Sequence, residues 1–62
     1  MKYVSVALPV PVFHAFTYHA DDSVLPGCRV RVRFSGRTLV GVVLPETPEY
    51  AQKTLPVLEV ID

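Results

Sequence analysis

The segment CRVRVRF at residues 28–34 constrains what this chain can fold into more than any other stretch of it. Val30, Val32 and Phe34 alternate with Arg29, Arg31 and Arg33, so apolar and cationic residues take turns. A helix would scatter these side chains around its axis, whereas a strand sends them to opposite faces with a period of two. The segment therefore reads as a β-strand with one buried and one wet face. Ser35, Gly36 and Arg37 make a short glycine-containing connection, and TLVGVVL (38–44) is apolar and β-branched, so the two runs are expected to pair as an antiparallel hairpin. Gly41, inside the second arm, marks a bulge or a close backbone approach.

The same logic extends along the chain. Residues 3–8 alternate, with Val4, Val6 and Leu8 on one side and Tyr3, Ser5 and Ala7 on the other, which predicts a half-buried strand. Pro9 and Pro11 end that strand or confine it to an edge, because neither has an N–H for the ladder. FHAFTY (13–18) is aromatic and β-prone and reads as a second short strand. DDSVLPG (21–27) is a loop closing on a Pro-Gly turn, and PETPEYAQKT (45–54) is a polar connector in which EYAQK has room for a turn of helix. LPVLEVI (55–61) supplies the last strand. Four or five short strands, with no long segment of period 3.6, predict one all-β domain over residues 1–62, folded as a small closed or partly open barrel. The sequence stops directly after an apolar strand-like run, LPVLEVID, as a piece cut from a longer protein would.

Composition then limits function. Half of the residues are hydrophobic and 19% are charged, so the chain has apolar surface to bury. A domain of this size buries only about 60% of the surface its unfolded chain exposes, and its core will be thin. Six Lys and Arg balance six Asp and Glu, so no net charge draws the molecule toward nucleic acid. The lone Cys28 has no disulfide partner, and no Cys or His grouping has zinc-site spacing, which fits a reducing cytosol and implies no metal or other cofactor. Ser5, Pro9 and Pro11 interrupt the start at intervals unlike those of a secretory leader. No apolar run approaches the ~20 residues that span a bilayer, so a soluble protein without a membrane partner is expected.

Three constellations could carry chemistry. Arg29, Arg31, Arg33 and Arg37 lie within nine positions that hold no acidic residue, so one hairpin is expected to present a basic stripe. Such a stripe could track phosphates, giving affinity without sequence choice. Arginine on the wet face of a strand is equally an ordinary solvated residue. Phe13, Phe16 and Tyr18 crowd a six-residue stretch, with Phe16 and Tyr18 on the strand face of His14. An exposed ring there could stack a base. In a core this small the rings could equally be structural, with Phe13 the one expected inside and Phe16 the one expected to work. His14 and His19 have no nucleophile or paired carboxylate at a defining spacing and read as surface or loop residues, while Cys28 reads as a small inert hydrophobe. No GxxxxGK loop and no GxGxxG is present, so a non-catalytic module is expected.

The order of these segments resembles a known family. VALPVPV (6–12), the F-x-Y of Phe16 and Tyr18, LPGCRVRVRF (25–34), R-x-L-V-G-V-V (37–43) and VLEVID (57–62) resemble, in sequence order, the N-terminal domain of primosomal protein N′, the bacterial replication-restart helicase called PriA. The resemblance implies an OB-like partly open barrel of about five short strands. It also implies that the barrel holds the 3′-terminal nucleotide of a nascent leading strand at a stalled replication fork, whatever its base, to position the helicase whose motor lies further along the parent chain. The implied setting is the bacterial cytoplasm at the nucleoid, with the chain a monomer whose partners are DNA and the parent's remaining domains. In the family the pocket takes an aromatic of the F-x-Y motif and the residue after it, a glycine just past the basic strand, and a lysine near the last strand. Carried over, these are Phe16, Thr17, Tyr18, Ser35, Gly36 and Lys53, with Arg29, Arg31, Arg33 and Arg37 as phosphate contacts. The chain departs from the pattern in four places. Thr17 stands where some members have Asp, Ser35 takes the glycine position one residue ahead of Gly36, Arg33 stands where many members have Pro, and the lysine position falls near Leu55 with Lys53 the nearest cation. A competing assignment is an SH3-like interaction barrel that takes a peptide in a groove lined by Phe16 and Tyr18. A third is a purely structural piece of an enzyme.

Overall fold

In a computed structural model that describes residues 1–11, 14–46, 48 and 53–62, the chain forms five strands. These are β1 (Lys2–Ala7), β2 (Phe16–Ala20), β3 (Arg29–Phe34), β4 (Arg37–Val43) and β5 (Glu59–Val60). They make one sheet in the order β2-β1-β4-β3-β5, every neighbouring pair antiparallel. The sheet curls into an OB-like, partly open barrel without a helix among the described residues.

The alternating hairpin forms as expected. β3 pairs β4 without a slip from Arg29↔Val42 to Phe34↔Arg37, so the turn is the two residues Ser35 and Gly36. Their φ angles of 50° and 76° are those of a type I′ turn, whose twist matches that of paired strands. Val30 and Val32 are fully buried while Arg29, Arg31 and Arg33 face water. The unbroken register means that Gly41 is no bulge in this pairing. It is a close approach: a Cβ there would lie 2.6 Å from the Ala7 carbonyl oxygen and from Val6 Cγ1. Its bare backbone lets β4 run this close to the end of β1.

β1 ends at Ala7, before the two prolines, and sits between β2 and β4. Val4, Val6, Tyr18, Ala20, Val24, Val30, Val32 and Val43 make the core, with Leu8, Phe16, Cys28 and Val57 packed at its margin. Fully burying one such valine is worth roughly 1.5–3 kcal/mol, and a handful of them is a thin core for the whole domain. Val24 plugs it from the loop at 21–27, which ends in a turn closed by Cys28 N–H donating to the Leu25 carbonyl with Gly27 at φ 90°.

Two expected elements shift by more than one residue. The second strand forms at 16–20, not 13–18, because β1 dictates its length through the five pairs from Val6↔Phe16 to Lys2↔Ala20. His14 and Ala15 precede it, Phe13 lies outside the described residues, and His19 belongs to the strand and not to a loop. The last strand, expected over 55–61, is only Glu59–Val60. Pro56 has no N–H to donate, and the segment changes partners part-way. His19 N–H donates to the Leu55 carbonyl and Val57 N–H to the His19 carbonyl, after which Leu58 N–H donates to the carbonyl of Arg31. Residues 55–58 thus bridge β2 to β3 across the mouth of the curled sheet. Of the EYAQK turn at 49–53, only Lys53 is among the described residues.

Candidate nucleic-acid interface

Where the barrel is bridged, a cleft of about 390 Å³ opens between three stretches of chain. One wall is the start of β2 with Ala15, Phe16, Thr17 and Tyr18. The end of β3 and its turn give Arg33, Phe34 and Ser35, and the approach to the bridge gives Lys53, Thr54 and Leu55. Phe16, Thr17, Tyr18, Ser35 and Lys53, singled out in the sequence, therefore share one hollow. Gly36 does not line it; its carbonyl accepts a bond of 3.1 Å from Arg33 Nη2 behind the turn. Ala15, Phe34, Thr54 and Leu55 line the cleft without having been expected there. For Phe34 a signal existed, since its inward parity on β3 aims it at whatever ring β2 supplies.

Phe16 is half-buried at the boundary between core and cleft. Its ring meets Phe34 edge-on with centroids 4.7 Å apart, and exposed His14 lies against it at 4.5 Å. Such contacts hold a ring at a fixed tilt while part of it stays open. Tyr18 behaves differently. It is 4% exposed, and its hydroxyl donates to the Arg33 carbonyl at 2.9 Å, tying β2 to β3 beneath the cleft. Burial pushes its phenol above the ordinary value. The peptide groove of the SH3-like assignment needs both rings on the surface, and only Phe16 is there.

Ser35 is the only described residue other than glycine at positive φ. A left-handed serine costs of order 1 kcal/mol or more, a strain that clusters where backbone groups are aimed at a ligand. The turn holds it there because both its positions demand φ above zero.

The arginine stripe is divided by the fold. Asp62 takes Arg29 in a forked pair, Nε donating to Oδ1 at 3.0 Å and Nη2 to Oδ2 at 2.6 Å. These side-chain bonds hold the Asp62 carboxyl below its ordinary value, against a smaller opposing effect of lost solvation. Glu59 on β5 pairs with Arg31, its cross-strand neighbour on β3. Arg33 bonds its own hairpin through Thr38 Oγ1 at 3.1 Å and the Gly36 carbonyl. Arg37 and Lys53 are exposed and have no side-chain partner among the described residues. Within the hairpin the charge left free of carboxylates therefore lies at the turn end, with Lys53 across the cleft from it, while Lys2 stands at a different hollow. A second hollow of about 260 Å³, bordered by Lys2, Pro26, Pro45 and Pro48, shares no residue with the cleft.

A cleft that combines a partly open ring, hydroxyls, a strained turn and unpaired cations suits a nucleotide, and comparison with known families agrees. The model of the 3′ DNA-binding domain (3′BD) of PriA matches residues 5–62. The chain belongs to this PriA 3′BD family. No curated protein matches it. The PriA 3′BD match spans all five strands except the first three residues of β1, and it includes every lining residue of the cleft.

Proposed function

We propose that the chain is a sequence-independent module that holds the 3′-terminal nucleotide of a DNA strand in the cleft between Phe16, Ser35 and Lys53. In the parent protein it would position a restart helicase on the nascent leading strand of a stalled fork. The observation that carries this reading is the convergence of Phe16 and Thr17 from β2, Ser35 from the hairpin turn and Lys53 from the approach to the bridging segment on one hollow. Stacking on Phe16 would accept any base, since every base has a π-face, and is worth roughly 1–3 kcal/mol. The Thr17 hydroxyl can donate or accept, so it suits a base edge without selecting one. Backbone and hydroxyl of Ser35 would meet the terminal sugar. Lys53, Arg37 and Arg33 would hold the preceding phosphates, with Arg29 and Arg31 reached only by displacing their carboxylates. The module works as a monomer in the bacterial cytoplasm, beside the remaining domains of its parent, and needs no cofactor.

Fluorescence anisotropy tests this with one sequence in three forms: linear with a 3′-hydroxyl, linear with a 3′-phosphate, and closed into a circle. The hydroxyl end is expected to bind tightest and the circle weakest. Equal affinity for the hydroxyl end and the circle would remove the end-binding claim and leave a general strand binder.

A further inference from the structure

We infer that His19 is a positioning residue for the cleft, setting the wall that carries Lys53 and Thr54 through a hydrogen bond to the Thr54 hydroxyl; the inference rests on the proposed end-binding role. The imidazole Nδ1 lies 2.7 Å from Thr54 Oγ1, and both side chains are half-buried. His19 also makes two backbone bonds to the same segment, its N–H donating to the Leu55 carbonyl at 3.1 Å and its carbonyl accepting from Val57 at 2.9 Å. Between those two residues stands Pro56, which has no N–H to add to the ladder. The side-chain bond is thus one of three that tie residues 54–57 to β2; Leu55 is held on the cleft wall by its backbone carbonyl, and the imidazole bond is the one of the three that fixes a side chain there, that of Thr54. Deleting it leaves Thr54 and Lys53 upstream of their last fixed point, at the end of a ten-residue polar connector.

The bond also orients a donor. Thr54 Oγ1 has a single hydrogen, and its direction depends on whether the ring nitrogen accepts or donates. Either way, His19 holds the Thr54 rotamer that lines the cleft opposite Phe16. A histidine satisfied at a strand edge is often no more than structural, so the decisive readout is preference for a strand end, not stability.

Thr54→Val removes the hydroxyl at constant shape, and His19→Leu removes its partner. Thr54→Ser and His19→Asn keep a bonding group within reach. Each variant of the 62-residue chain is measured for thermal unfolding and for its affinity ratio between a linear 3′-hydroxyl strand and the same strand circularised. Deleting one such bond is expected to lower the ratio between about two- and tenfold. Thr54→Val and His19→Leu should fall in this range, their combination should fall no further than either, and the two conservative variants should stay near wild type. Should His19→Leu fail to fold, Thr54→Val decides alone. A wild-type preference that survives Thr54→Val in a folded protein overturns the positioning role and leaves end binding intact. Equal wild-type affinity for both substrates overturns the proposed function, and the positioning role with it.

Discussion

Phe16 stands on the border between core and cleft, which makes it the sharpest residue at which to test function. Its ring has two roles in the structure, since it packs edge-on against Phe34 and also faces the hollow. Phe16→Ala should weaken binding of a 3′ end by about 1–3 kcal/mol, roughly 5- to 150-fold. Phe16→Leu keeps an apolar side chain against Phe34 without a face for a base, so it separates stacking from folding. If Phe16→Leu binds like wild type in an anisotropy titration, the ring belongs to the core alone. Tyr18, two residues on, shows how near the two roles lie. Burial raises its phenol pKa, so the folded state keeps the proton longer than the unfolded chain does. The stability this contributes is complete below the unfolded value of about 10 and is lost as pH climbs through the folded one. Ionisation would also remove the donor to the Arg33 carbonyl. Thermal melts at increasing alkaline pH should therefore show a decline that Tyr18→Phe reduces. At neutral pH the same substitution costs about 1 kcal/mol for the carbonyl left without its donor.

At the scale of elements, β4 runs so close to the end of β1 at Gly41 that no side chain fits there. Gly41→Ala would put a methyl 2.6 Å from a backbone oxygen and from the fully buried Val6, so whole strands would have to move. Overpacking of this kind costs about 1–3 kcal/mol, a large share of the stability of a small domain. A fall in the urea midpoint is expected, and an unchanged midpoint would mean that the two strands are not pressed together there. The sequence announced this approach through a lone glycine in a β-branched run, just as it announced β3 and β4 through the alternation of Arg and Val. What it did not carry was the partner. β2 was misplaced because its aromatics spoke for β structure at 13–18 while its bounds were set by the register with β1. β5 was overlong because LPVLEVI is apolar but for Glu59, and the change of partner from β2 to β3 leaves no trace in it. The cleft was legible in its ring, its turn and its lysine. Thr54 and His19 meet across 35 positions of sequence, and neither residue alone reads as anything but polar surface.

For the molecule as a whole, the balance of six cations and six anions conceals a spatial arrangement that the fold decides. β5 and the residues after it bring Glu59 and Asp62 onto the outer end of the arginine stripe, so Arg29 and Arg31 are paired there while Arg33 and Lys53 line the cleft and Arg37 stands at the hairpin turn. A strand approaching the hairpin would thus be drawn toward the cleft end, with Arg29 and Arg31 held in reserve behind carboxylates. Replacing both acids, Glu59→Gln with Asp62→Asn, should release those two guanidiniums without touching a residue that lines the cleft. Overall affinity for single-stranded DNA is then expected to rise. The slope of log K against log salt should steepen by up to about 0.7 for each further phosphate neutralised. The ratio of linear to circular binding should stay unchanged. Acid acts in the same direction: the bonds from Arg29 hold the Asp62 carboxyl below its ordinary value, so the pair persists through the usual carboxylate range and opens only as pH falls through that lowered value. An unaltered salt slope in the double variant would mean that DNA never reaches Arg29 and Arg31, leaving phosphate binding to Arg33, Arg37 and Lys53.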